Sequence, residues 1–141
     1  MPSHPRKLVK KDFESLSEFR YQMRCFERFS ERAAQGEGLT PQQYLVLLHV
    51  KGVPGRDWAF VGEIAERLQL RPHGAVALVT RCEALGLVER RPGEADRRQV
   101  EVHLLPAGQA MLERLAELHR AELHSLKGAF RVPQIDLPEP S

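Results

Sequence analysis

Four guanidinium groups crowd one short stretch of this 141-residue chain: Arg90, Arg91, Arg97 and Arg98 lie in and beside the loop Pro92-Gly93-Glu94-Ala95-Asp96-Arg97. Planar cations at this density suit phosphate oxygens or the narrow minor groove of a duplex. Asp96 lies two residues before Arg98, close enough to pair with it and fix its direction. A second group carries complementary chemistry. His73, Gly74, Val76, Ala77, Thr80 and Arg81 fall on one side of a helical repeat, and Ala75, Leu78, Val79, Cys82 and Leu85 on the other. Small residues let a helix backbone approach base edges, Val76 or Thr80 would meet a thymine methyl, and Arg81 would reach phosphate. Taken alone, either group also reads as an ordinary solvated surface.

The elements that must position them are legible between Val61 and Leu105. Val61, Ile64, Ala65 and Leu68 make one apolar helical stripe, with Glu63 and Glu66 early, where acids suit the helix dipole. Gln69-Leu70-Arg71 is a turn, Pro72 opens the next helix and Gly86 closes it. Leu87 to Arg91 and Arg98 to Leu105 then read as strands of a hairpin whose tip is too polar to bury. In the second strand Val100, Val102 and Leu104 alternate with Glu101 and His103, predicting one packed face and one wet face. Two helices and a cationic hairpin in this order predict a helix-turn-helix with a β-wing, a device for placing one helix in a DNA major groove.

Leu-Gly-Leu-Val-Glu-Arg-Arg at 85 to 91, Asp96 to Leu104 and Pro106-Ala107-Gly108 resemble the MarR family of winged-helix transcription regulators. The resemblance implies that Arg98, in an Asp-x-Arg pattern with Asp96, enters the minor groove while Asp96 holds it. It also implies a homodimer, repression rather than activation, and release of DNA by small aromatic or amphipathic ligands. Cys82 stands where the family usually has Leu, and Leu105 where it usually has Thr, a better N-cap.

Around that core, residues 1–11 hold Arg6, Lys7, Lys10 and Lys11 without an acid and predict a flexible basic arm. A helix over 12–35 carries Phe13, Leu16, Phe19, Met23, Phe26 and Ala33 on one strip and Tyr21, Cys25 and Phe29 on another. Thr40-Pro41-Gln42-Gln43 is a capping box for a helix facing Tyr44, Leu47 and Leu48 inward. Trp58-Ala59-Phe60 is either a short third strand or a hydrophobic plug. Pro106 opens a second long helix, 106–127, whose Met111, Leu112, Leu115, Ala116, Leu118, Leu123 and Leu126 make an apolar surface too broad for one small unit to cover. The expected organisation is therefore mainly α with a small β-wing. One unit at 12–127 contains the DNA-binding core at 40–105 and two dimerisation helices, and an irregular tail follows at 128–141.

A net charge of only +2 does not announce a nucleic-acid partner, but Arg67 to Arg98 holds seven Arg against four acids, a local excess that steers anions. No apolar run approaches the ~20 residues of a membrane span, no secretory segment is visible, and a cytoplasmic place is expected. No Gly-rich phosphate loop, nucleophile elbow or HExxH appears, so no enzyme, cofactor or metal is expected. Tyr21, Phe26, His49 and Trp58 are candidates to line an effector crevice. Cys25, near Arg24 and Arg28, opens a rival reading as a thiol-based redox sensor. A second rival is a winged-helix dimer that binds another protein.

Overall fold

Pro72 and Gly86 punctuate the chain where helix chemistry says they should. The computed structural model describes residues 6–126 and 130–135; residues 1–5 of the expected arm, 127 at the end of the expected second long helix, and 128–129 and 136–141 of the expected tail lie outside the described residues. These comprise helices α1 (Lys10–Gly36), α2 (Pro41–Lys51), α3 (Val61–Leu68), α4 (Pro72–Ala84) and α5 (Pro106–Ser125), with strands β1 (Trp58–Phe60), β2 (Val88–Pro92) and β3 (Val100–Leu104). Pro72 is the first residue of α4, and Gly86 takes φ +74° just past its end. Between α3 and α4 the tight turn is made by Gln69 at φ 53°, a left-handed conformation. The Thr40 hydroxyl accepts from the Gln43 amide at 3.2 Å while the Gln43 side chain accepts from the Thr40 amide at 3.0 Å, completing the capping box of α2.

The three strands form one antiparallel sheet in the order β1-β3-β2. Trp58 faces His103 and Phe60 faces Glu101 across one ladder; Val88 faces Leu104 and Arg90 faces Val102 across the other. Leu47, Ile64, Val79, Val88, Val102 and Leu115 are fully buried, so α2, α3, α4, α5 and the sheet share one core. The Leu105 amide donates to the Leu87 carbonyl at 2.9 Å, and a Cβ added to Gly108 would lie 2.0 Å from that oxygen. Only glycine lets the first turn of α5 sit so close to the root of the wing.

Some expectations are corrected. Leu85 is not part of the buried stripe: it caps α4 and is 53% exposed, because the chain turns away there before Leu87 and Val88 enter the core. In α2, Val46 and Val50 are buried and Leu48 is exposed, since both the sheet and α5 close around the helix. The second face of β3 is not wet: Glu101 is buried and His103 half-buried. The reason is β1, which is a strand and brings Trp58 onto that face, stacked on His103 at 5.8 Å. The arm is not free up to residue 11 either. Lys10 and Lys11 belong to α1, and Arg6 pairs with Asp12 through contacts of 2.6 and 2.8 Å. That guanidinium, with help from the Val9 amide, lowers the Asp12 carboxyl from 3.8 to about 2.

Where α1, α2 and α5 meet, His119 is buried against aromatic rings. It stacks on Tyr44 at 4.9 Å and meets Phe29 and Phe26 edge-on at 5.4 and 6.0 Å. A carbonyl can only accept, so Nδ1 donates to Leu115 O at 2.7 Å; in the neutral ring Nε2 then accepts from the Ser30 hydroxyl at 2.9 Å.

Candidate nucleic-acid interface

Helix α4 buries Ala75, Leu78, Val79 and Cys82, which leaves His73, Val76, Ala77, Thr80 and Arg81 exposed and Gly74 partly so. Val76 is 47% exposed although it is apolar. No side chain caps the start of α4, so the positive end of its dipole is open to an outside anion. Burial also decides the chemistry of Cys82, whose thiol is pushed up to about 11 and stays protonated in the core.

The wing tip is a tight loop built by its backbone. The Gly93 amide donates to Gln99 O at 2.8 Å and the Gln99 amide to Asp96 O at 3.0 Å. A Cβ on Gly93 would lie 2.6 Å from Asp96 O, so the loop closes only around glycine. Inside it, Asp96 accepts from the Arg98 amide at 3.0 Å and from Arg98 Nε at 3.2 Å. Those donors hold the Asp96 carboxyl below its ordinary range. The Arg98 side chain is nonetheless 92% exposed, a cation aimed outward by a carboxylate behind it. Arg97 beside it is also exposed.

The other two guanidiniums behave differently. Arg91 pairs with Glu89 on its own strand. Arg90 turns back toward α4: Nη2 donates to Val76 O at 2.8 Å and to Thr80 Oγ1 at 2.7 Å, and Nη1 to Glu83 Oε1 at 2.9 Å. In this structure the fork expected to hold phosphate is occupied by its own chain. The part of Glu83 was missed, although its place on the last turn of α4, seven residues before Arg90, offered a signal. A cleft of about 400 Å³ separates the start of α3 from the wing, with Val61, Val76, Arg90, Arg98 and Val100 among the residues on its walls.

The four expected crevice residues are not gathered at one place. Phe26 packs on His119, whereas Trp58 lies on the wing sheet under the Arg56 guanidinium, 4.2 Å from its ring centre. Arg56 in turn pairs with Glu63, whose carboxylate accepts from the Phe60 amide at 2.9 Å, so Trp58 belongs to the anchorage of α3. His49 is half-buried, and its pKa is lowered by burial and by Arg67. Tyr21 is exposed on α1, and its phenol is raised by its contact with Cys25, itself half-buried. Among the described residues no group of His, Cys, Asp and Glu could hold a metal ion, and no helix is long and apolar enough to cross a membrane.

A small-faced helix beside an outward arginine on a hairpin is the arrangement of a winged helix-turn-helix. A model of the MarR family matches residues 37–99 of the chain, which hold α2 to α4 and the wing tip. The chain is 34% identical over 105 residues to the transcriptional activatory protein BadR of Rhodopseudomonas palustris, spanning 74% of this chain and 60% of that one. The fold is that of AbsC, a MarR family transcriptional regulator from Streptomyces coelicolor, with a TM-score of 0.72 at 24% identity over 89% of this chain and 82% of the other. Overoxidized AbfR bound to DNA is similar with a TM-score of 0.59 at 27% identity over 77% of each chain. These likenesses are to transcription regulators and to a DNA-bound protein of the same fold.

Proposed function

We propose that two copies of this chain, related by a twofold axis, bind a near-palindromic operator and repress transcription by occluding it. The observation that carries this reading is the pairing of an exposed, small-residue face on α4 with Arg98 directed outward by Asp96 on the adjoining wing. His73, Gly74, Val76 and Ala77 would meet base edges in the major groove, with the methyl of Thr80 beside them. Arg81 and Arg91 would hold phosphate, and Arg97 and Arg98 would work the minor groove at the flank. Half-sites read by such a dimer lie about 34–36 Å apart. An aromatic or amphipathic effector that loosens the seam around His119 would change that spacing and release the DNA. Because the R. palustris relative is described as an activatory protein, the position of the operator relative to the promoter, rather than the fold, would set the sign of regulation.

Selection of genomic fragments with the purified protein, followed by footprinting, tests the reading. Protection of two half-sites one helical turn apart is expected, with affinity falling steeply as salt rises. Shallow salt dependence and no preference among duplexes would instead favour a protein-binding module. A redox variant of the reading rests on Cys25 and its contact with Tyr21. If it holds, peroxide abolishes operator binding in the wild type and not in Cys25→Ser.

A further inference from the structure

Of the four guanidiniums around the wing, Arg90 alone is committed to another element. It uses three donor N–H groups on α4, at Val76 O, Thr80 Oγ1 and Glu83 Oε1, and its backbone amide adds a fourth bond to Glu83 Oε2 at 3.1 Å. Its side chain is 24% exposed. We infer that Arg90, with Glu83, is a positioning residue for DNA recognition: it braces α4 against the wing and orients Thr80, and it neutralises no phosphate. This inference rests on the proposed DNA-facing role of α4 and the wing.

The mechanical reason is the spacing of the attachments. Covalently, α4 and β2 are joined only through Leu85, Gly86 and Leu87, and Gly86 is a swivel at φ +74°. Val76 lies ten residues before Gly86, which on a helix is about 15 Å. Beyond the core contacts of Leu87 and Val88, a strand tied at the far end alone would have no second fixed point along the helix. Arg90 ties it again about one and a half to three turns earlier, at Thr80 and Val76, and two separated ties on a rigid rod fix an angle that one cannot.

The same bonds limit what Thr80 can say to a base. Its single hydroxyl proton goes to Val76 O at 2.9 Å, and one of its lone pairs receives Arg90. What is left to present outward is a methyl and one acceptor site. Thr80 can therefore lie against a thymine methyl or accept from the exocyclic amine of adenine or cytosine, but it cannot donate to the O6 or N7 of guanine.

Charge and brace predict opposite signs, which makes the inference testable. Glu83→Ala removes a negative charge from the DNA-facing side; if charge governed, binding would tighten. Arg90→Lys keeps the charge and loses the fork. Binding is measured for wild type, Glu83→Ala and Arg90→Lys on the selected operator and on a random duplex of equal length, across a salt series. The expected result is a loss of roughly five- to tenfold on the operator for both variants. Random-duplex affinity and the salt slope should stay at wild-type values, and the cost of substituting a thymine under Thr80 should shrink. Tighter binding by Glu83→Ala, a neutral Arg90→Lys, or a salt slope lower by about one ion would overturn the inference in favour of a phosphate contact. Equal losses on both duplexes would overturn it in favour of a folding defect. A wild-type protein that prefers no duplex would overturn the DNA-binding reading itself.

Discussion

Arg98 and Asp96 differ in how much of each is open to solvent, and that difference assigns their roles. The guanidinium stands outside the loop while the carboxylate accepts from both its amide and its side chain. Arg98→Ala should weaken operator binding by roughly 1–3 kcal/mol, as for a specific groove contact. An unchanged dissociation constant in a folded variant would refute the contact. Asp12 offers a pH test at the same scale. Its folded pKa, about 2, lies below the ordinary 3.8, so its pair with Arg6 contributes fully above the ordinary value and is lost as pH falls through about 2. Carboxyl NMR should find Asp12 titrating near 2, and Asp12→Asn should flatten the melting-temperature curve in that window. The Asp96–Arg98 pair was legible in the sequence because both partners sit in one loop. Arg90 was not: its partners lie on a different element, and nothing in a string of Arg residues says which one will turn around.

At the scale of elements, two glycines do different work. Gly86 holds φ +74° with open space around it, so Gly86→Ala costs conformational strain alone, about 1–2 kcal/mol. Gly108 sits in ordinary helix, but a methyl there would strike Leu87 O, a backbone atom that no rotamer change can move. Gly108→Ala should therefore cost about 3 kcal/mol or more, despite the better helix propensity of Ala. Urea denaturation of both variants checks the order; if Gly86→Ala proved the more damaging, the close approach of α5 to the wing root would be wrong. The helices and their bounds could be read from period and punctuation, since Pro72, Gly86, Thr40 and Pro106 act locally. The inner face of the wing could be read too, whereas the outer one could not. Trp58 covers it from β1, a three-residue strand forty residues away in sequence whose placement depends on long-range pairing.

The whole molecule leaves apolar surface on its two longest helices. Phe13, Leu16 and Tyr21 on α1, and Leu118 and Leu123 on α5, are exposed in the single chain. Sedimentation velocity is expected to give a dimer, and Leu118→Glu with Leu123→Glu a monomer of unchanged helical content that loses operator affinity. A wild-type monomer at micromolar concentration would defeat the proposed mode of reading. The central strand β3, bonded on both sides, runs into α5 through a single residue, Leu105. There is no slack at that junction to absorb a shift, so any rotation of one long helix drags its hairpin along. In the proposed dimer the grip of each half on its stretch of duplex would be geared to the pose of the pair, and operators with altered spacing would be matched by changes in the long helices, not by redesign of the fingertips.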